Sequence, residues 1–257
     1  MKEKIIAAAE KHKQLILDAE RYIWNHPESG YREWNTHRYL KERVEALGYT
    51  LTEAGNIPGF YTDIDTGRPG PTVMILGEMD SLIIPDHPEC DKQTGAVHAC
   101  GHHAQSAALL GVAAILREPG MLDNLCGRIR LCAVPAEEGI ELEYRKELKK
   151  QGIISQVSGK AEIICRGWCD DVDMAFIVHT FAGEPGRISC TGEGSNGAIS
   201  KTVEYKGVSS HAGGSPWAGV NALYAANVGM TAINALRETF RDTDQIRVHP
   251  IITAGGT

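Results

Sequence analysis

The sequence predicts an α/β protein in which a mostly parallel sheet carries helices on both faces. Three apolar runs, Val73–Leu76, Ile129–Val134 and Met174–Val178, have the continuous hydrophobicity of strands that are buried on both sides. Helical patterns lie between these runs, from Ala104 to Leu116 and from about Glu141 to Gln151. Strands that alternate with helices in this way are typical of parallel sheets.

Two further helices are expected before the first of these strands. Apolar residues between Ile5 and Ala19 recur at roughly helical spacing among charged residues, and "NHPESG" then ends the segment. A second helix is predicted from about Thr36 to Leu47, and it ends at Gly48, a residue type that favours helix termination.

The pattern changes near Gly186, which predicts two domains over residues 1–185 and 186–257. "AISKTVEYKG" alternates apolar and polar residues, as expected for a half-exposed strand of an antiparallel sheet. The loop "VSSHAGGSPWAG" precedes an apolar helix from about Val220 to Phe240, and "QIRVHPIITAGGT" predicts one more strand. The second domain is therefore expected to be α+β with an antiparallel sheet.

Composition argues against several classes of partner. The 257 residues are 42% hydrophobic and 23% charged, and the net charge of -7 is unfavourable for binding nucleic acid, which needs a clustered positive surface. No segment approaches the roughly 20 apolar residues that span a bilayer, so no membrane partner is expected. Seven cysteines without framework spacing, and an N-terminus unlike a secretory signal, predict a cytoplasmic protein with reduced thiols.

Ionisable side chains follow the predicted parallel strands at the point where each strand ends. In an open parallel sheet, ligands bind beyond the carboxyl ends of the strands, so we expect these side chains to meet at one edge. A turn rich in metal-binding residue types precedes the intervening helix at the same edge. These residues are Asp80, Glu137, Glu138 and His179 at the strand ends, and Cys100 and His102 in the turn.

Each of these residues alone has an ordinary structural explanation. His179 is more often a packing residue, the two glutamates could cap the next helix, and Asp80 could belong to a turn. Their joint position at one edge favours a metal site. Thiolate, imidazole and carboxylate together suit zinc, with manganese or cobalt as alternatives. A thiolate or carboxylate can bridge two ions, and one of two adjacent glutamates can then take a proton from metal-bound water.

The same residues carry a family resemblance. "HPESGYRE", "GEMD", "HACGHH", "PAEEG" and "SSHAGGSPWAGVNAL" resemble, in order and over nearly the whole chain, the sequence blocks of dinuclear metal amidohydrolases. The branch contains bacterial N-acyl-amino-acid amidohydrolases, hippurate hydrolases and plant auxin-conjugate hydrolases. The resemblance implies hydrolysis of an amide bond in an N-acyl amino acid or small dipeptide-like substrate, with two divalent ions, zinc or manganese, in each protomer.

The resemblance also implies a role for individual residues. Glu137 becomes the general base that activates a metal-bound water. His211 lies in a lid domain, incomplete in this chain, and helps to hold the substrate or the developing oxyanion, sometimes across a dimer. The lid commonly mediates dimerisation, so a homodimer is expected. The implied metal ligands are Cys100, His102, Glu138 and His179.

The chain departs from the family pattern at three places. His103 stands where the family usually has Asp, and it could be an extra ligand, a lost supporting partner, or neither. Glu78 stands where related branches carry a metal-binding His, although Asp80 matches. The chain ends at Thr257 within the predicted lid, whereas family members continue to a further metal-binding His, so a truncated chain with little turnover is expected.

Two other functions stay open at this point. One is a metal-free hydrolase with Cys100 as nucleophile and a nearby His as base. The other is a catalytically impaired relative that binds metal or dimerises without turning over substrate, which His103 and the early end favour. The metal hydrolase hypothesis requires Cys100, Glu138 and His179 to share a common centre.

Overall fold

The computed structural model describes residues 1–180, 197 and 199–255. The chain divides into two units, Met1–Gly183 and Glu184–Thr257. The predicted domain boundary between residues 185 and 186 lies outside the described residues.

A mixed five-stranded sheet forms the centre of the first unit, and a two-stranded sheet lies apart from it. The described strands are β1 (Thr52–Glu53), β2 (Phe60–Asp65), β3 (Thr72–Glu78), β4 (Leu82–Ile83), β5 (Ala96–Val97), β6 (Arg128–Val134) and β7 (Met174–Ile177). The strand order of the larger sheet is β1-β2-β6-β3-β7. β3 pairs in parallel with both β6 and β7, whereas β2 pairs antiparallel with β1 and with β6. β4 and β5 form the separate antiparallel pair.

Helices cover both faces of the central sheet. The described helices are α1 (Lys2–Lys11), α2 (Lys13–Trp24), α3 (Trp34–Ala46), α4 (His102–Leu116), α5 (Leu142–Lys150), α6 (Gly159–Cys165) and α7 (Ala222–Leu236). Successive side chains of a strand point to opposite faces. Leu131 and Ala133 of β6 pack into a core cluster with α2, α3 and α4, while Cys132 and Val134 pack on the other side with Ile163 of α6.

The predicted α/β class is confirmed, and the structure adds elements that the sequence pattern did not reveal. β1 and β2 extend the sheet with antiparallel strands, and the first predicted helix is divided into α1 and α2 at His12. The ring of His12 lies 2.7 Å from a carboxylate oxygen of Glu118, which ties this junction to the end of α4. The three predicted parallel strands and the helices between them form close to their expected positions.

The second unit is built around α7. The Asn221 side chain accepts a hydrogen bond from the Tyr224 backbone N–H and caps the start of this helix. Residues 199–207 and 245–255 form no strand, in contrast to the prediction. A strand needs a hydrogen-bonding partner, and in the described part of this unit the one antiparallel bridge joins Val208 to Val220. None of the described helices is long and apolar enough to cross a membrane.

A tight backbone contact follows the end of β6. Ala136 adopts a left-handed conformation with φ 54°, and its carbonyl accepts a hydrogen bond of 3.0 Å from the N–H of Gly159. A Cβ atom at position 159 would lie 1.6 Å from the carbonyl oxygen of Pro135. The start of α6 can therefore approach this turn only because residue 159 is a glycine.

Substitution Gly159→Ala is expected to lower the free energy of unfolding by about 1–3 kcal/mol or more, because the methyl group forces the two segments apart. Chemical denaturation would measure this loss. Gly139→Ala is the matched control, since a Cβ there meets no atom within 4 Å. Equal stability of the two variants would contradict the close approach.

Candidate metal centre

A sharp turn before α4 brings Cys100 to the end of β7. Gly101, the residue before the helix, has φ 101°, a conformation that side chains rarely adopt. The Thr180 hydroxyl donates a 2.7 Å hydrogen bond to the Cys100 carbonyl, so the turn and the segment after β7 are joined. A Cβ at Gly101 would lie 2.5 Å from the Thr180 side chain, which leaves room only for glycine.

Cys100 and His179 face each other across this junction. The Cys100 Sγ atom lies 3.4 Å from Nε2 of His179. The other ring nitrogen, Nδ1, lies 2.7 Å from the Thr180 carbonyl oxygen and must donate to it, because a carbonyl can only accept. In the neutral ring, Nε2 therefore presents its lone pair to the thiol, which is the form in which an imidazole binds a metal.

His102, the first residue of α4, is oriented from behind by Asp80. Its Nδ1 lies 2.9 Å from the Asp80 carbonyl oxygen and 3.2 Å from the Asp80 Oδ1 atom. Nε2 consequently faces the strand ends, where it lies 3.1 Å from Glu78 Oε2. Burial alone would lower the pKa of His102, but its contacts with Asp80 and Glu78 outweigh burial and raise it to about 10. A carboxylate behind an imidazole is the usual support of a metal-binding histidine.

The ligand atoms of Cys100, His102 and His179 all lie within 4.8 Å of one another. A second group within the same limit contains Glu78, His102 and Glu137, so His102 belongs to both. His102 Nε2 is buried without a hydrogen-bond partner in the described part of the chain. A buried, unpaired nitrogen among sulfur and carboxylate atoms fits a divalent cation such as zinc.

The paired glutamates after β6 differ in their surroundings. Glu138 donates its backbone N–H to Asp80 Oδ2 at 2.9 Å, and its buried Oε1 has no hydrogen-bond partner among the described residues. Burial and the Glu138 carboxylate raise the pKa of the Cys100 thiol to about 12, which places Glu138 directly beside Cys100. Glu137 is about one-third exposed, and its Oε1 lies 3.5 Å from Lys160 Nζ.

Lys160 is a component of the site that sequence reasoning missed. Its ammonium group, in the first turn of α6, forms ion pairs with Glu78 and Glu137. Burial opposes its charge, but the contacts with Glu78 and then Glu137 raise its pKa above the usual value. No motif around Lys160 signals this position, because only the packing of α6 beside the turn after β6 brings it there.

His103 contacts α2 and belongs to neither ligand group in the described part of the chain. Its Nε2 lies 3.2 Å from Glu20 Oε1, and its ring packs edge-on against Trp24 with centroids 4.7 Å apart. These contacts assign His103 to the packing of α4 on α2, and they answer the question that its unusual position in the motif raised.

His211 lies in the second unit. Its Nδ1 accepts hydrogen bonds from the N–H groups of Gly213, at 3.1 Å, and Gly214, at 2.8 Å. The imidazole is therefore held by its own exposed loop, and its catalytic role stays a prediction.

Comparisons with known proteins identify relatives that are hydrolases by name. The chain is 30% identical over 258 residues to one of the two subunits of the p-aminobenzoyl-glutamate hydrolase of Escherichia coli, covering 97% of this chain and 48% of that protein. It is 28% identical to the indole-3-acetyl-aspartic acid hydrolase of Enterobacter agglomerans, covering 84% and 57%. N-acetyl-L-cysteine deacetylase of Bacillus subtilis is 35% identical, with 49% and 30% covered. The chain thus spans about half the length of the curated relatives that it matches over most of its own length.

Solved structures show the same fold. A putative aminohydrolase from methicillin-resistant Staphylococcus aureus matches with a TM-score of 0.54 and 28% identity, covering 68% of this chain and 41% of that one. A dinuclear metal-binding peptidase of the M20 family from Bacillus subtilis matches with a TM-score of 0.50 and 22% identity, covering 66% and 42%. No family model matches the chain.

His98 lies directly before the Cys100 turn and is an uncharged buried imidazole. Only 1% of its surface is exposed, and neither ring nitrogen has a hydrogen-bond partner in the described part of the chain. Burial, followed by the nearby His103 and His102, lowers the pKa of His98 to about 3. The folded chain therefore excludes a proton that the unfolded chain binds below about pH 6.5.

Because the folded pKa is the lower one, the contribution of His98 to stability is intact above about pH 6.5 and is lost as the pH falls towards 3. The loss is about 1.4 kcal/mol per pH unit, or roughly 2 kcal/mol at pH 5. In His98→Leu this component is absent. Urea unfolding at pH 7.5 and pH 5 should show a smaller decrease for the variant than for the unsubstituted chain, and equal decreases would contradict the buried neutral ring.

Proposed function

The chain belongs to the family of dinuclear metal amidohydrolases and peptidases, and from this premise we propose that the protein hydrolyses the amide bond of an N-acyl amino acid or a small dipeptide-like substrate. Three relatives are named for p-aminobenzoyl-glutamate, indole-3-acetyl-aspartate and N-acetyl-cysteine. In each of these compounds an acyl group is joined to the nitrogen of an amino acid. The shared linkage defines the proposed substrate class.

The observation that carries this proposal is the convergence of sulfur, imidazole and carboxylate groups at one edge of the sheet. Cys100 contacts His179 and lies beside Glu138, and its sulfur is within 4.8 Å of the His102 ligand nitrogen. We assign these four residues as ligands of two divalent ions, zinc or manganese. Such ions, when bound, polarise the amide carbonyl and lower the pKa of a water molecule to about 7.

The remaining residues of the site have separable tasks. Asp80 holds His102 through Nδ1, and it also fixes the Glu138 backbone N–H, so one carboxylate orients two proposed ligands. Glu137 is the proposed general base: its partly exposed carboxylate takes a proton from the attacking water and returns it to the leaving nitrogen. Lys160 lies 3.5 Å from Glu137 and attracts this carboxylate to the rim of the site.

The second unit supplies the proposed substrate-holding and dimer contacts. His211 is assigned to the substrate or the developing oxyanion. Several large apolar side chains of this unit are exposed, including Trp217 before α7 and Tyr224 and Val228 on it. Apolar surface of this kind marks a contact with another protein surface. A homodimer formed through this unit would cover it.

A cysteine hydrolase is the second candidate, because Cys100 and His179 lie within the reach of a nucleophile and its base. Catalytic thiols are activated by a lowered pKa. Here burial and Glu138 raise the pKa of Cys100 to about 12, which disfavours the thiolate. This electrostatic setting supports the metal mechanism over the cysteine mechanism.

Release of amino acid from N-benzoylglycine, N-acetylcysteine and p-aminobenzoyl-glutamate would test the metal mechanism. Removal of metal by a chelator is expected to abolish turnover, and added zinc or manganese should restore it. In Glu137→Gln, kcat should fall by about 10²–10⁴-fold while the metal content is unchanged, since only the proton transfer is lost. Glu143→Gln, which changes an exposed glutamate of α5, is the control and should retain activity.

Turnover that survives complete removal of metal would contradict the metal mechanism and favour Cys100 as nucleophile. Metal binding without turnover of any N-acyl amino acid would instead indicate a relative that has lost catalysis.

A further inference from the structure

We propose that Glu33 and Arg145 are positioning residues that hold the Ala136 peptide from both sides and thereby aim Glu137 and Glu138 into the metal centre. The inference rests on the proposed function, because it assigns the support for the general base and for one proposed ligand. Neither residue belongs to the groups of ligand atoms found among the described residues.

Glu33 holds the N–H side of this peptide. It immediately precedes α3, more than 100 residues away in sequence, and its side chain is fully buried. Its Oε1 atom accepts a 2.7 Å hydrogen bond from the Ala136 N–H. Glu33 is the last residue of the block "HPESGYRE", for which the metal centre itself offers no ligand role.

Arg145 holds the carbonyl side. This residue of α5 is 1% exposed, and its Nη1 donates to the Ala136 carbonyl at 3.2 Å and to the Val157 carbonyl at 2.9 Å. The Gly159 N–H donates to the same Ala136 oxygen. Groups from three other parts of the chain therefore converge on one buried peptide unit.

These contacts explain how Ala136 keeps its left-handed conformation. With φ 54°, a non-glycine residue occupies a sparsely populated region, and such a conformation persists only where the surroundings enforce it. The chain then leaves Ala136 in the direction that sets Glu137 beside Lys160 and the Glu138 N–H on Asp80. A change in the Ala136 peptide would rotate both glutamates together.

Zinc titration of the metal-stripped chain by isothermal titration calorimetry tests this role. Glu33→Ala and Arg145→Met are each expected to weaken zinc binding by about 10–100-fold, as the loss of a residue that supports a metal ligand does. Glu33→Gln should restore binding to near the unsubstituted value. Burial and Asp80 raise the pKa of Glu33 well above its usual range, so a neutral amide is a close mimic that still accepts from the Ala136 N–H.

Arg130→Met is the matched control. Arg130 is also a buried arginine, 3% exposed, and donates to the Trp168 carbonyl, to Asp63 and to Asp171. These contacts lie away from the Ala136 peptide. We expect this variant to unfold at lower urea concentration while its zinc affinity stays unchanged. Equal weakening of zinc binding in Arg130→Met and Arg145→Met would show that general destabilisation suffices and would overturn the proposal.

Ala136→Gly keeps the test decisive if a buried variant fails to fold. Glycine adopts the left-handed conformation without strain but also permits others, so the turn loosens while every buried partner stays in place. Zinc binding should weaken several-fold with the urea midpoint close to that of the unsubstituted chain. Unchanged zinc affinity in this variant, or in Glu33→Ala and Arg145→Met, would overturn the positioning role alone. An unsubstituted chain that binds no zinc would instead defeat the proposed function, and this inference with it.

Discussion

The parallel pairing of β3 with β6 and with β7 is the constraint on which the rest of the site depends. In this register Glu78 at the end of β3 lies opposite Val134, and Leu76 lies opposite Ile177. The segments that follow the three strands consequently leave the sheet at the same edge. The Cys100 turn reaches this edge from the start of α4, so residues up to about 100 positions apart in sequence become neighbours.

Buried charge is the second organising feature. Glu78, Asp80 and Glu33 are almost completely buried, and carboxylates in such positions are stable only when cations or hydrogen bonds compensate them. His102 and Lys160 supply part of this compensation. A concentration of negative charge beside a thiol and two imidazoles is also the environment that attracts a divalent cation. The same groups therefore serve the stability of the sheet edge and the proposed chemistry.

The sequence predicted the parallel strands because their apolar runs are continuous, and it predicted the meeting of their terminal residues because strand order fixes one edge. It did not predict β1, β4 or β5, since a two-residue strand is too short to show a period. Nor did it indicate Lys160, Glu33 or Arg145 as parts of the site. These side chains reach it through helix packing and through hydrogen bonds to a backbone peptide, and neither leaves a local pattern in the sequence. The packing also separates two histidines that "HACGHH" places side by side: adjacent residues of a helix point about 100° apart, so His102 faces the strand ends while His103 packs against α2.

X-ray absorption spectroscopy of the zinc-loaded protein tests most directly whether this edge of the sheet is a metal centre. We expect a sulfur scatterer at about 2.3 Å from zinc together with nitrogen or oxygen scatterers at about 2.0–2.1 Å. The sulfur contribution should disappear in Cys100→Ser. A zinc environment of nitrogen and oxygen alone in the unsubstituted protein would contradict the assignment of Cys100, and with it the convergence of ligands around that residue.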